Sequence, residues 1–200
     1  MRGILIFLFF STSFVLYAQD FDEAISPQAQ AASAMRNKRY REAEDLYRQL
    51  LQKNPESMTY KHLLSHSLLG QVRFQESDSV LRTAYQQDSM HPGTYWYWGL
   101  LAERQDQYVR AYVFFRKYID RSKRFAEFNQ SAWLHAGSSY RRKMHQEGIY
   151  TIEWADMIYC YENYLQSQPA DPMIPALKDF LDIARTKQPQ HKEKLVWDEQ

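Results

Sequence analysis

The chain has little that would lock it covalently or let it bend freely. Cys160 is the single cysteine among 200 residues, so no internal disulfide can form, and an exported protein of this kind would rest on its hydrophobic core. Glycines number six, and long alternating runs of Val, Ile and Thr are missing, which argues against a β-rich fold. Neither sign of charge prevails, with 25 basic and 24 acidic residues. Removing residues 1–18 would take away Arg2 and no acid, leaving 24 of each; that balance argues against nucleic acid or anionic lipid as the main partner. Also missing are a G-x-S-x-G elbow, a phosphate loop, a G-x-G-x-x-G turn and an H-E-x-x-H pair. No catalytic residue, cofactor or metal set is expected from these motifs.

Aromatic mass is what the chain has in plenty: 15 Tyr, 11 Phe and 5 Trp. Disordered chains lack such apolar mass, and helix formers dominate between turn signals, which points to an all-α fold. The first eighteen residues stand apart. Arg2 gives a positive start, Ile4 to Phe10 is a continuous apolar run, and Leu16-Tyr17-Ala18 precedes Gln19-Asp20. This is the layout of a cleaved secretory signal over residues 1–18. A membrane anchor is the alternative, but roughly 14 apolar-leaning residues fall short of the about 20 that a span needs. No cysteine lies near the cleavage point, so a bacterial lipoprotein anchor is not expected. The expected location is the bacterial periplasm or the exterior.

Internal periodicity organises the remainder. Tyr40, Ala43 and Tyr47 recur as Phe74, Ser77 and Leu81, then as Tyr108, Ala111 and Phe115, in steps of 34 residues. Trp154, Met157 and Tyr161 form a fourth copy, and Pro169 follows Trp154 at the interval by which Pro55 follows Tyr40. Upstream sit small residues, Ala31, Ser65 and Gly99, again 34 apart, with Gly137 in that place in the fourth unit. The fourth unit is stretched: four residues are added before Gly137 and eight between Gly137 and Trp154. Small residues let two antiparallel helices approach closely while aromatics fill the groove of the neighbour. Tyr40 to Lys53 is predicted as one such helix, stopped by Asn54-Pro55, with a Glu44–Arg48 pair on its wet side. The proline at Pro92 falls three residues late against this pattern.

A 34-residue helix–turn–helix period with these small and aromatic places resembles the tetratricopeptide repeat family. The likeness rests on Tyr40/Ala43/Tyr47/Pro55, on Trp98-Gly99 with Tyr108/Ala111/Phe115, and on Trp133/Gly137/Tyr140. It departs from the family pattern at Lys61 and Ser77. The resemblance implies a right-handed helical-hairpin solenoid of about four pairs. The repeat domain would cover residues 27–169, after a leader over 19–26, with units at about 24–57, 58–91, 92–128 and 129–169. A capping helix over 170–188 is expected from Pro175 and the apolar Leu177, Phe180, Leu181 and Ile183. A mobile tail over 189–200, holding Trp197, would follow.

The resemblance also implies a concave face lined by the first helix of each pair. Transferred through the matched small residues, that face would hold Gln28, Ala32 and Met35, then His62, His66 and Leu69. It continues with Trp96, Leu100 and Glu103, then Leu134, Ser138 and Arg141. We take His62, His66, Trp96, Glu103, Ser138 and Arg141 as the candidate partner-binding residues. His62 and His66 lie one helical turn apart, but a zinc site needs further ligands, so they read as groove-facing polar residues. In the run Tyr95-Trp96-Tyr97-Trp98 the four rings point in different directions. Trp98 and Tyr95 fall on the packing side, and Trp96 on the open side as a candidate anchor. The basic runs Arg121–Arg124 and Arg141–Lys143 read as solvated helix ends. The chain lacks the Lys and Asn set with which some members of the family clamp a terminal carboxylate. Residues 144–151, interrupting the array, are a candidate functional loop, and Cys160 reads as a small packed residue.

The expected function is that of an exported scaffold or adaptor that holds a protein or peptide partner, without catalysis. Alternatives are a small-ligand or glycan binder using Trp96 and an envelope assembly subunit tethered by an uncleaved N-terminal segment. Oligomeric state cannot be read from the sequence.

Overall fold

A computed structural model describes residues 26–122, 128–190 and 194–195. The signal segment, nearly all of the leader, and the end of the tail with Trp197 lie outside the described residues. Among those described there are nine helices: α1 (Pro27–Arg36), α2 (Tyr40–Lys53), α3 (Met58–Gly70), α4 (Phe74–Gln87), α5 (Pro92–Arg104), α6 (Tyr108–Ser122), α7 (Ser131–Gln146), α8 (Thr151–Ser167) and α9 (Ile174–Thr186). The β-structure among them is one isolated antiparallel bridge, Ile149 with Leu195. Each helix packs on the next in chain order, and α3 also reaches α5. The chain is thus an all-helical array consistent with a helical repeat.

Local chemistry starts and stops the helices. Ser26 caps α1 by accepting the Ala29 N–H at 3.2 Å, with Pro27 in the first turn. Ser57 caps α3 through Tyr60 N at 3.3 Å. Such caps satisfy amides that have no partner inside the helix. At α5 the His91 Nδ1 accepts the Gly93 N–H at 3.1 Å and Pro92 lies in the first turn. Pro92 therefore opens a helix where Pro55 follows the end of one, because a first-turn proline loses no helical hydrogen bond. That is why it stands off the repeat.

The turns inside the pairs repeat with the same period. Lys38, Val72 and Asp106, 34 residues apart, adopt positive φ of 57°, 63° and 54°. The next residue in each case donates its N–H back into the preceding helix: Arg39 to Ala34 O at 2.8 Å, Arg73 to Leu68 O at 3.0 Å and Gln107 to Ala102 O at 2.9 Å. This is the Schellman-type closure of a helix end. In the fourth pair Gly148, with φ 79°, takes that place. It follows Gly137 by eleven residues, where Asp106 follows Gly99 by seven. Half of the eight-residue insertion therefore lengthens α7 by one turn, and the rest lies between Gly148 and Trp154.

The small residues do what the spacing predicts. A Cβ placed on Gly99 would lie 2.6 Å from the Phe115 ring, and one on Gly137 2.8 Å from Tyr161. In the second pair Ser65 and Ser77 meet instead through their hydroxyls at 2.8 Å, both buried. Two large clusters of buried side chains result, one across α1–α3 and one across α5–α9. Between them lies a small one of Leu69, Leu81 and Leu101, flanked by Phe74, Tyr97 and Trp98.

Helix α9 lies against the last pair, with Phe180 edge-on to Tyr161 at 5.7 Å. Part of the stretch read as a mobile tail is held in place. Ile149 and Leu195 exchange backbone hydrogen bonds of 2.8 and 2.9 Å, and Thr151 Oγ1 donates to Pro189 O at 3.1 Å. The extra residues of the fourth unit supply both partners, so Pro189 and Leu195 dock on the insertion.

Candidate functional site

The first helices of the pairs, α1, α3, α5 and α7, are joined by polar contacts spanning 32 residues each. Gln28 Nε2 donates to Tyr60 Oη at 3.3 Å; His62 Nε2 and Thr94 Oγ1 lie 2.9 Å apart; His135 Nδ1 donates to the Glu103 carboxylate at 3.0 Å. One flank of each first helix thus meets the opposite flank of its counterpart, two positions short of the full period.

This row decides what the candidate residues can do. His62 is 4 % exposed, stacked on Tyr97 at 5.3 Å and 5.0 Å from the His91 ring. Burial, with His91 and Lys61 adding positive charge nearby, pushes its imidazole down to about 3, so it is neutral at physiological pH. His66 is half-buried, its ring 5.6 Å from Tyr97, and burial lowers its pKa as well. Both rings lean on one tyrosine, whose own hydroxyl burial raises to about 12. Among the described residues no three His, Cys, Asp or Glu side chains are placed to hold a metal.

Glu103 is buried and held by His135. The ring of Trp96 is half-buried among Phe115, Tyr118 and His135, with centroids 5.5, 5.3 and 5.3 Å away. Ser138 accepts the Tyr161 hydroxyl at 3.3 Å. Arg141 lies over the Phe180 ring at 4.0 Å, facing α9. By helical spacing each pair of these residues shares a side of its own helix, but His62 and Glu103 are closed to solvent. Leu69, named for the same face, is also buried. His66, Trp96, Leu100, Leu134 and Ser138 remain half-exposed there.

Lys143 and Cys160 are both packed. Lys143, read as part of a solvated helix end, is buried and donates to Gly148 O at 3.0 Å and Glu153 Oε2 at 2.9 Å. It fixes the turn that the insertion creates. Cys160 is fully buried, and burial raises its thiol to about 12 although Arg116 pulls the other way; it fills the core as the small packed residue expected of it.

Sequence reasoning missed one network. Glu44, placed on the wet side of α2, is 6 % exposed. Its carboxylate binds Arg48 at 2.8 Å, Gln71 Nε2 at 2.8 Å and Arg73. Burial pushes its pKa up, but hydrogen bonds from Gln71 and Arg48 and the Arg73 charge outweigh that and hold it below the usual range. The signal available was Asp78, 34 residues on and likewise acidic, which accepts the Trp98 indole N–H at 2.9 Å.

Neither a protein-family model nor a curated protein sequence matches the chain.

Proposed function

We propose that this chain is an exported tetratricopeptide-type scaffold that holds an extended segment of a protein partner along the face made by α1, α3, α5 and α7. The observation that carries the reading is the row of 32-residue contacts, which ties the four first helices into one continuous face. Along it, half-exposed apolar and polar side chains such as Leu100, Leu134, His66 and Ser138 alternate, the mixture that suits a peptide backbone with apolar side chains. Trp96 is half-buried, with the rings of Phe115, Tyr118 and His135 packed around it. That disfavours stacking on a sugar ring and so favours the peptide reading over the glycan one.

The test is site-specific photo-crosslinking in the producing cell. A photoreactive amino acid at His66 or Ser138 is expected to trap a discrete polypeptide, whereas one at the exposed Gln49 of α2 should not. Equal trapping from all three positions, or trapping of glycan alone, would overturn the proposal.

A further inference from the structure

A second groove lies on the other side of α5. By helical periodicity Trp98, Leu101 and Ala102 share one side of α5, with Gln105 just past its end, while Trp96, Leu100 and Glu103 share the opposite one. Trp98, Leu101, Ala102 and Gln105 help line a cavity of about 190 Å³ between α4, α5 and α6. Its floor is aromatic. Trp98 stacks on Phe114 at 5.4 Å and meets Tyr85 at 5.4 Å; Tyr85 and Trp98 in turn meet Tyr95 at 6.2 and 6.0 Å.

Its walls are cationic. Arg82 from α4 and Arg110 from α6 line the cavity, and Asp78 is the one acid among the lining residues. Asp78 is already engaged by the Trp98 indole and by Arg82 Nε at 2.7 Å. Along α6 the side that carries Arg110 continues through Phe114, Lys117 and Arg121, at the 4-3-4 spacing of a single helix face. Lys117 lies 5.7 Å and Arg121 4.6 Å from the Tyr95 ring, so both flank the continuation of this floor. Arg82 and Arg110 therefore line the cavity against one acid, and Lys117 and Arg121 continue the cationic side of α6 beyond it, in a chain whose formal charge is only +1. Such concentration raises the local density of anions and guides their approach.

From this we infer that the α4–α5–α6 groove binds an acidic, extended segment of a partner polypeptide. Carboxylates suit the guanidinium forks of Arg82 and Arg110, and the amides of Gln75, Gln105 and Gln107 can both donate to and accept from a peptide backbone. Single-stranded nucleic acid needs open ring faces for stacking. Here Phe114 and Tyr85 cover Trp98, and Arg121 and Lys117 cover Tyr95.

The probe is a short fluorescein-labelled peptide of alternating Glu and Leu, titrated into the full chain by anisotropy, with the Gln-for-Glu peptide and polygalacturonate alongside. The Glu peptide is expected to bind and its affinity to fall with salt. Arg110→Gln with Lys117→Gln should weaken it about tenfold. Arg36→Gln with Arg41→Gln, removing the same charge from exposed places on α1 and α2, should change it by less than about twofold. Tryptophan emission should shift on binding and provides a second readout that does not depend on the variants. Equal losses in the two double variants, equal binding of the Gln peptide, preference for polygalacturonate, or no binding by the unaltered chain would each overturn the inference. Because these residues lie across α5 from His66 and Trp96, such a failure leaves the proposed peptide face untouched.

Discussion

Gly99 and Phe115 are in contact so close that no side chain fits between them: a Cβ on Gly99 would sit 2.6 Å from Phe115 Cε1. Phe115 cannot yield, since it is fully buried and packed against Trp96 and His135. Gly99→Ala is therefore expected to destabilise the fold by about 1–3 kcal/mol, the usual cost of overpacking. Urea unfolding followed by circular dichroism measures this. Adding Phe115→Leu should recover part of the loss, which a helix-propensity effect would not, because alanine by itself favours a helix.

Val72 offers the opposite sign. It is β-branched, 58 % exposed, and held at φ 63° in the turn between α3 and α4. That conformation costs a non-glycine residue about 1–2 kcal/mol, and Val72 gains little packing in return. Val72→Gly is expected to raise stability by about 1 kcal/mol, net of the added freedom of the unfolded chain. Asp106→Gly should gain less, because aspartate tolerates this region and the Asp106 carboxylate accepts the Tyr108 hydroxyl at 3.0 Å. Thermal unfolding of the two variants side by side checks the order.

His62 predicts an acid sensitivity. Its folded pKa of about 3 lies below the ordinary value of 6.5, so the unfolded chain binds the proton more readily. Stability from this group is complete above about pH 6.5 and is lost as pH falls towards about 3, with a slope of up to about 1.4 kcal/mol per pH unit. The half-buried His66, lowered in the same direction, adds to the loss. His62→Gln should flatten the pH profile of unfolding free energy between about pH 6 and 4.5 without abolishing it. An unchanged slope would mean that His62 is not buried beside His91 and Thr94.

Glu44 joins the first two pairs through Arg73 and Gln71. Glu44→Gln leaves Arg73 its second partner, Glu76, and Arg73 is part-exposed, so the cost should stay near 1–2 kcal/mol rather than that of a stranded buried charge. Asp45→Asn, an exposed neighbour on α2, should change stability by less than about 0.5 kcal/mol. Chemical denaturation of both variants compares them directly.

The pattern of helices was legible because it depends on local spacing. The bounds predicted for the second helix, Tyr40 to Lys53, coincide with those observed, and Gly99 and Gly137 meet aromatic rings as the small-residue places foretold. What stayed hidden depends on partners far along the chain. Glu44 looked like a solvent-facing member of an i,i+4 pair because its other partners, Gln71 and Arg73, come from the next pair. His62 looked like a groove residue because Thr94 and Tyr97, which bury it, lie on α5. Lys143 looked solvated because the turn that receives it belongs to the insertion. The repeat fixes which helices become neighbours, whereas the flank of each helix that closes against its counterpart depends on the packing angle, which the period does not encode.

The most direct measurement is nuclear Overhauser spectroscopy of the isotope-labelled chain, directed at the aromatic and methyl protons of α3, α5 and α7. The account predicts cross-peaks from the His62 ring to the Thr94 methyl and from the His135 ring to that of Trp96, joining each first helix to the next. Absence of both, or cross-peaks joining α3 directly to α7, would contradict the shared face on which the proposed function stands.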